Sequence, residues 1–278
     1  MDTRFWGPSG WRLLHLIAFK APTLNQAQLH RFFKGLPYVL PCKFCRASLT
    51  DYIEADPIPT KSEDYAYWLY RIHNRVNDKL REQKLIKTKN PSWDSVKRQY
   101  DQWIKQPCTQ RQMMGWDFLY SVAYTTPCAE VESKPMPGAP PKHAIHTPEL
   151  ENRWNVMSIE DRLPRINEWW TTLPHVLPFA SWQKAWKKMV PAVPRLACGR
   201  KKVTEWLYKA EKAMCQELKE SLPHDSFDGL CNELHTFSSG CGKIKSNKVK
   251  TCRAKKTKKR QTILHNRTHK YKMTGGFL

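Results

Sequence analysis

The chain repeats itself. "GWRLLHLIAFKAP" (Gly10 to Pro22) lines up with "GWDFLYSVAYTTP" (Gly115 to Pro127) at an offset of 105. "LPYVLPCKFC" (Leu36 to Cys45) lines up with "LPHVLPFASW" (Leu173 to Trp182) at 137, and "WLYRIHNRVNDKL" (Trp68 to Leu80) with "WLYKAEKAMCQEL" (Trp206 to Leu218) at 138. The order is kept, and the offset jumps once, by about 32. A Pro-rich stretch of about that size, "TPCAEVESKPMPGAPPKHAIHTPELE", begins at Thr126, where the jump falls. Chance matches rarely preserve order and spacing, so a duplicated unit with one long insertion is the favoured reading. Shared helical patterning of Trp and Pro is the alternative.

Each unit reads as helical. Trp11, Leu14, His15 and Ala18 recur at i, i+3, i+4 and i+7, one face of a helix, with Pro8 and Ser9 as start signals. Residues 24 to 35 make a second amphipathic helix ending near Gly35. A third opens at the cysteine pair and runs toward Ile53, closed by Pro57 and Pro59. Residues 63 to 82 form the clearest helix, with Tyr65, Trp68, Leu69, Ile72, Val76 and Leu80 on one side. A fifth follows Pro91, from Ser92 to about Ile104. The expected class is all-α: a four-helix bundle with a short fifth helix over 1–110, a second helical unit over 111–235 with its insertion at about 126–152, and a tail over 236–278.

The tail is set apart by charge. The net charge is +22, and 13 Lys or Arg with no Asp or Glu lie between Lys243 and Leu278. Such a segment is solvated and drawn to polyanions, nucleic acid included, with salt-sensitive and mostly non-specific binding. A tail that only solubilises, or meets an acidic partner, fits as well. No apolar run approaches the roughly 20 residues of a membrane helix, and "MDTRFWGPSGW" does not have the pattern of a secretory signal.

Nine cysteines, an odd number without a signal peptide, make a secreted disulfide scaffold a poor fit. Only Cys42 and Cys45 form a close pair. Structural zinc takes four ligands, commonly two such pairs or a Cys pair with a His pair, so no metal site is expected. At the start of a helix, a cysteine pair gains thiolate character from the helix's positive end and from Lys43 and Arg46.

"WGPSGWRLLH", "PCKFC" and "HNRVNDKL", in this order over about residues 4 to 105, resemble the Erv/ALR family of FAD-linked sulfhydryl oxidases, particularly those of large DNA viruses. The resemblance implies an enzyme that oxidises thiols of protein substrates through a Cys-x-x-Cys and FAD to O2, giving H2O2. It implies that Cys45 is the flavin-proximal sulfur and Cys42 the more exposed one, attacked by an incoming thiolate. For FAD it carries over Gly7, Trp11 and His15 from the first helix and His73, Asn74, Val76 and Asn77 from the fourth. Phe19, Lys79, Lys89 and Trp93 follow as softer matches. Pro8 stands where many relatives have Arg, and Tyr70 where cellular relatives have a structural cysteine. Relatives usually add a shuttle cysteine pair; Cys108, Cys231, Cys241 and Cys252 are the candidates.

The second unit departs from this pattern. Phe179 and Trp182 replace Cys42 and Cys45, Tyr120 replaces His15, and Glu211, Lys212 and Cys215 replace His73, Asn74 and Asn77. It is expected to bind no FAD and to pack on the first unit as an intrachain pseudo-dimer, with a homodimer beyond that left open. The implied setting is viral assembly, in the virion or host cytoplasm. A basic virion structural or nucleic-acid-associated protein retaining an oxidase-like scaffold is the alternative function, and a zinc adaptor the least favoured.

Overall fold

A computed structural model describes residues 1–127, 134–194, 199–222 and 224–238. The described residues are helical, without strands. Five helices fill the first 105 residues: α1 (Thr3–Lys20), α2 (Gln26–Val39), α3 (Lys43–Ala55), α4 (Tyr65–Glu82) and α5 (Trp93–Lys105). Seven follow: α6 (Pro107–Arg111), α7 (Trp116–Tyr124), α8 (Pro148–Arg153), α9 (Ile159–Val176), α10 (Ala180–Met189), α11 (Arg200–Leu218) and α12 (Phe227–Phe237). The basic tail, Cys128, Cys198, Cys241 and Cys252 lie outside the described residues.

Local chemistry sets the helix starts. Asp2, Asn25, Ser92, Thr147, Ser158 and Ser226 each accept a backbone N–H from the first turn of the helix that follows. Two boundaries differ from the sequence reading. Pro8 lies inside α1, because the Asp2 cap already starts the helix at Thr3. Gly35 lies inside α2, which runs on to Val39. A Cβ there would sit 2.9 Å from Trp169 Cδ1, so this glycine serves a close helix–helix approach and not a helix end.

The core is one continuous apolar cluster drawn from both parts of the chain. Trp68, Trp169, Trp170 and Trp182 are among its largest fully buried members. α1 lies along α7, and α2 lies along α9. The α1–α7 contact is reciprocal. A Cβ on Gly10 would meet Phe118 Cγ at 3.1 Å, and one on Gly115 would meet Leu13 Cδ2 at 2.6 Å. Each glycine makes room for the side chain three residues beyond the other. Between α2 and α9, Phe32 stacks on Trp169 with ring centres 5.2 Å apart.

Two junctions share one geometry. α2 ends at Leu40 (φ −51, ψ 134) and α3 is capped by Cys42 (φ −131, ψ 125). α9 ends at Leu177 (φ −54, ψ 134) and α10 is capped by Phe179 (φ −121, ψ 138). Likewise the Trp68 indole donates to Asp56 O at 2.9 Å, and the Trp206 indole to Pro191 O at 3.0 Å.

Gly115 has φ 106 as well as the tight contact with Leu13. Gly115→Ala should therefore cost about 2–3 kcal/mol, the combined size of a left-handed strain and an overpacked contact. Gly138, at φ 78 in open space, should lose less on the same change. Thermal denaturation followed by circular dichroism checks this; equal losses at both positions would contradict the packing account.

Candidate functional site

The α2–α3 junction puts Cys42 at the N-cap of α3 and Cys45 on its first turn. The sulfurs thus sit between the carbonyl end of α2 and the amide end of α3, and the latter favours a thiolate. Exposure runs against the expected order. Cys42 is buried, at 6%, and Cys45 is partly exposed. Residues 134 to 155, which overlap the insertion expected at about 126–152, lie along α3. Lys43 Nζ donates to Lys134 O at 3.4 Å, and Arg153 pairs with Asp51.

Along α1, six aromatic or imidazole rings form a continuous series. Trp11 lies flat on His73, centroids 3.8 Å apart and 8° from parallel. His15 Nε2 and His73 Nδ1 are 3.0 Å apart and share a hydrogen bond. Tyr100 of α5 sits 5.0 Å from His15 and 5.1 Å from Phe19. Trp93 extends the series, 5.7 Å from Phe19. Helical spacing builds this arrangement: Trp11, His15 and Phe19 are four apart on α1, and Trp93 and Tyr100 are seven apart on α5. Tyr100 escaped the sequence reading, and its seven-residue spacing from Trp93 was the available signal.

Both histidines are held neutral. Burial lowers His15 to about 3. Burial, and then the charge His15 would carry, holds His73 well below the ordinary imidazole range. One ring donates its N–H and the other accepts.

The remaining expected site residues distribute unevenly. Asn77 is buried on α4, and Val76 and Asn74 are partly buried there. Asn74 Oδ1 is itself enclosed and, among the described residues, has no hydrogen-bond partner. Open space faces Gly7, where a Cβ would meet nothing within 4 Å. Lys79 Nζ donates to Ser48 Oγ at 2.6 Å, tying α4 to α3 one turn beyond Cys45. Lys89 is exposed between α4 and α5. An enclosed amide acceptor, a flat Trp–His platform and open space at Gly7 are what a planar, polar-edged group with an amine would use. The residues present therefore fit a flavin adenine dinucleotide.

Tyr120 and Glu211, at offsets of 105 and 138 from His15 and His73, form another buried polar pair. Tyr120 OH donates to Glu211 Oε2 at 2.5 Å, where the first unit pairs His15 with His73. His224 closes over it, 3.6 Å from Glu211 and 3.0 Å from Glu233. Among the described residues no group of three His, Cys, Asp or Glu is placed to hold a metal ion. No described helix is long and apolar enough to cross a membrane.

Two neutral buried histidines link folding to pH. The unfolded chain binds protons below about pH 6.5 while the folded pair does not, so stability falls as pH drops through that value and goes on falling toward the folded pKa. The slope is at most about 1.4 kcal/mol per pH unit for each histidine. His15→Gln/His73→Gln should flatten the fall in unfolding midpoint between pH 7 and 5. An unchanged slope would contradict the neutral pair.

Comparison with known proteins finds relatives of the first five helices. The Erv1 / Alr family model matches residues 8–103. The FAD-linked sulfhydryl oxidase of African swine fever virus (isolate Pig/Kenya/KEN-50/1950) is 35% identical over 104 residues, which cover 36% of this chain and 82% of the relative. Mitochondrial FAD-linked sulfhydryl oxidase ERV1 of Saccharomyces cerevisiae is 31% identical over 88 residues, 30% of this chain and 47% of its own. The probable FAD-linked sulfhydryl oxidase R368 of Acanthamoeba polyphaga mimivirus is 31% identical over 85 residues, 28% and 59% respectively. No solved structure matches the chain. Matched by the family model and 35% identical to a viral relative over 82% of that relative's length, the chain belongs to the Erv1 / Alr family.

Proposed function

We propose that the protein is an FAD-dependent sulfhydryl oxidase that makes disulfides in protein thiols, with Cys42 and Cys45 as its redox pair. The observation that carries this reading is the Trp11–His73–His15 stack together with a cysteine pair at a helix start, both within the family-matched region. Bound FAD would supply two-electron acceptance from the pair and transfer to O2, giving H2O2.

The chain's own residues do the rest. Trp11, His15, His73, Asn74 and Asn77 would hold the group, with the open space at Gly7 giving it room. The neutral imidazoles keep this pocket uncharged at physiological pH, so one donates and one accepts hydrogen bonds there. Lys79 fixes α4 against α3, and with it the distance between pocket and cysteine pair. Phe19 and Trp93 continue the stacking surface, and Val76 fills the α4 face. Lys89, exposed before α5, is close in sequence to that surface and suits a phosphate.

Residues 111–235 are proposed to be a degenerate second copy that packs on residues 1–110 as a partner would in a two-fold dimer. The reciprocal Gly10–Phe118 and Gly115–Leu13 contacts support this, because an isologous interface pairs residue i with j′ and j with i′. The matching junction angles and Trp–carbonyl bonds support it too. Tyr120 and Glu211 fill with their own hydrogen bond the place that His15 and His73 occupy in the first copy, so the second copy would take no flavin. Cys108, exposed after α5, and Cys231, on α12, are the shuttle candidates among the described residues. Disulfide formation during virion assembly is the setting suggested by the viral relatives. A second reading, polyanion binding by residues 236–278, rests on their run of basic residues.

Purified protein should be yellow and release one FAD per chain, not two, on denaturation. Cys42→Ser and Cys45→Ser should each reduce dithiol-dependent oxygen uptake at least about a hundredfold, the scale expected when a reacting group is lost. A colourless protein without oxygen uptake would sink the enzyme reading. Truncation after Gly242 should spare oxygen uptake and weaken salt-sensitive binding to polyanions.

A further inference from the structure

The part of the chain beyond the family match reaches the cysteine pair. Arg46, next to Cys45 on α3, is buried, at 7% exposure. Its Nη1 donates to Leu40 O at 3.1 Å and its Nη2 to Asn155 Oδ1 at 2.6 Å. Asn155 is fixed in turn by donating through Nδ2 to Lys134 O at 2.7 Å. Arg162 of α9 donates Nε and Nη2 to Tyr38 O at 3.0 and 2.9 Å. Tyr38 and Leu40 close the carbonyl end of α2, where a cation is favourable.

Among the described residues neither guanidinium pairs with a carboxylate. Nearby charges are already engaged: Asp51 with Arg153, and Tyr38 with Glu149 and Arg165. Lys43, at the same end of α3, adds a third positive group. Burial lowers Arg46 to about 10, against the opposing pull of Cys42 and Cys45. Burial and the charge of Arg46 lower Arg162 to about 9. Both remain cations at neutral pH, and like charges brought together out of water are costly unless an anion joins them.

We propose that Arg46 and Arg162, positioned by Asn155 and the α2 carbonyls, are the built-in counter-charge for the thiolate released when the Cys42–Cys45 disulfide opens. The downstream half is then a positioning part of the redox centre and more than a packing partner. This rests on the oxidase reading. An incoming substrate thiolate bonds to one sulfur of the pair. The Cys42–Cys45 bond breaks, and its electron pair leaves on the other sulfur as a thiolate. No proton need move, because the negative charge arrives where positive charge is already fixed.

The test is alkylation of the full-length protein, reduced with a small dithiol under anaerobic conditions, by iodoacetamide, read at Cys42 and Cys45 by mass spectrometry across a pH series. Asn155 adopts φ 55, so Asn155→Gly removes the amide without backbone strain. Asn155→Asp keeps the shape and sets a carboxylate against Arg46. At pH 7 alkylation should slow about tenfold in Arg46→Gln, one pH unit in thiol acidity. It should slow about threefold in Asn155→Gly, Asn155→Asp and Arg162→Gln. The disulfide's potential against glutathione should fall in the same variants. A merely structural role would lower the unfolding temperature and leave the alkylation midpoint in place. Wild-type midpoints in folded Asn155 and Arg162 variants would overturn the proposal. Failure of the oxidase reading shows separately, as a wild type without flavin or oxygen uptake, and the alkylation readout does not depend on either.

Discussion

Helix α1 is buried on two faces at once, and the rest of the structure depends on that double burial. One face carries Trp11, His15 and Phe19 against α4 and α5, where imidazole and indole rings lie almost in contact. The other carries Gly10 and Leu13 against α7, where two glycines let the helices close to side-chain contact. A helix held this way has little freedom to turn. Its rings keep their places relative to α4 because α7 blocks rotation from behind. The interface with the downstream half and the geometry of the pocket are therefore one mechanical problem, and interiors packed this densely transmit strain across it.

Charge is arranged as deliberately around this scaffold. The pocket side holds its two histidines neutral by burial, whereas the cysteine side collects positive charge at the meeting of two helix ends. A neutral pocket suits hydrogen bonding to a large group, and a positive corner suits a leaving sulfur.

The first five helices were legible because their apolar residues recur at helical spacing and Pro or capping residues mark their ends. The candidate residues of α1 and α4 and the roles of the cysteine pair came from the family resemblance, and helical spacing accounts for Trp11, His15 and Phe19 sharing one face of α1. Gly35 was misread, because a glycine that ends a helix and one that admits Trp169 look alike until the partner helix is known. Pro8 misled for a related reason: Asp2 caps earlier, and the Pro sits within the helix it seemed to begin. The burial of Cys42 left no sequence signal, and neither did the packing on α3 of residues 134 to 155, about ninety positions away in a Pro-rich stretch with no periodic pattern. Asn155 and Arg162 were invisible on the same ground. Their partners Arg46 and Tyr38 are more than a hundred positions distant, and hydrogen bonds of that range leave no local signature.

The central claim is that electrons enter through Cys42 and Cys45 and reach a single flavin. Anaerobic mixing of the purified protein with a small dithiol tests it most directly. The account predicts that the flavin's visible absorbance bleaches by one two-electron equivalent per chain and returns on admission of oxygen, and that Cys45→Ser, although still yellow, does not bleach on that timescale. Bleaching of Cys45→Ser at the wild-type rate, or two flavins reduced per chain, would contradict it.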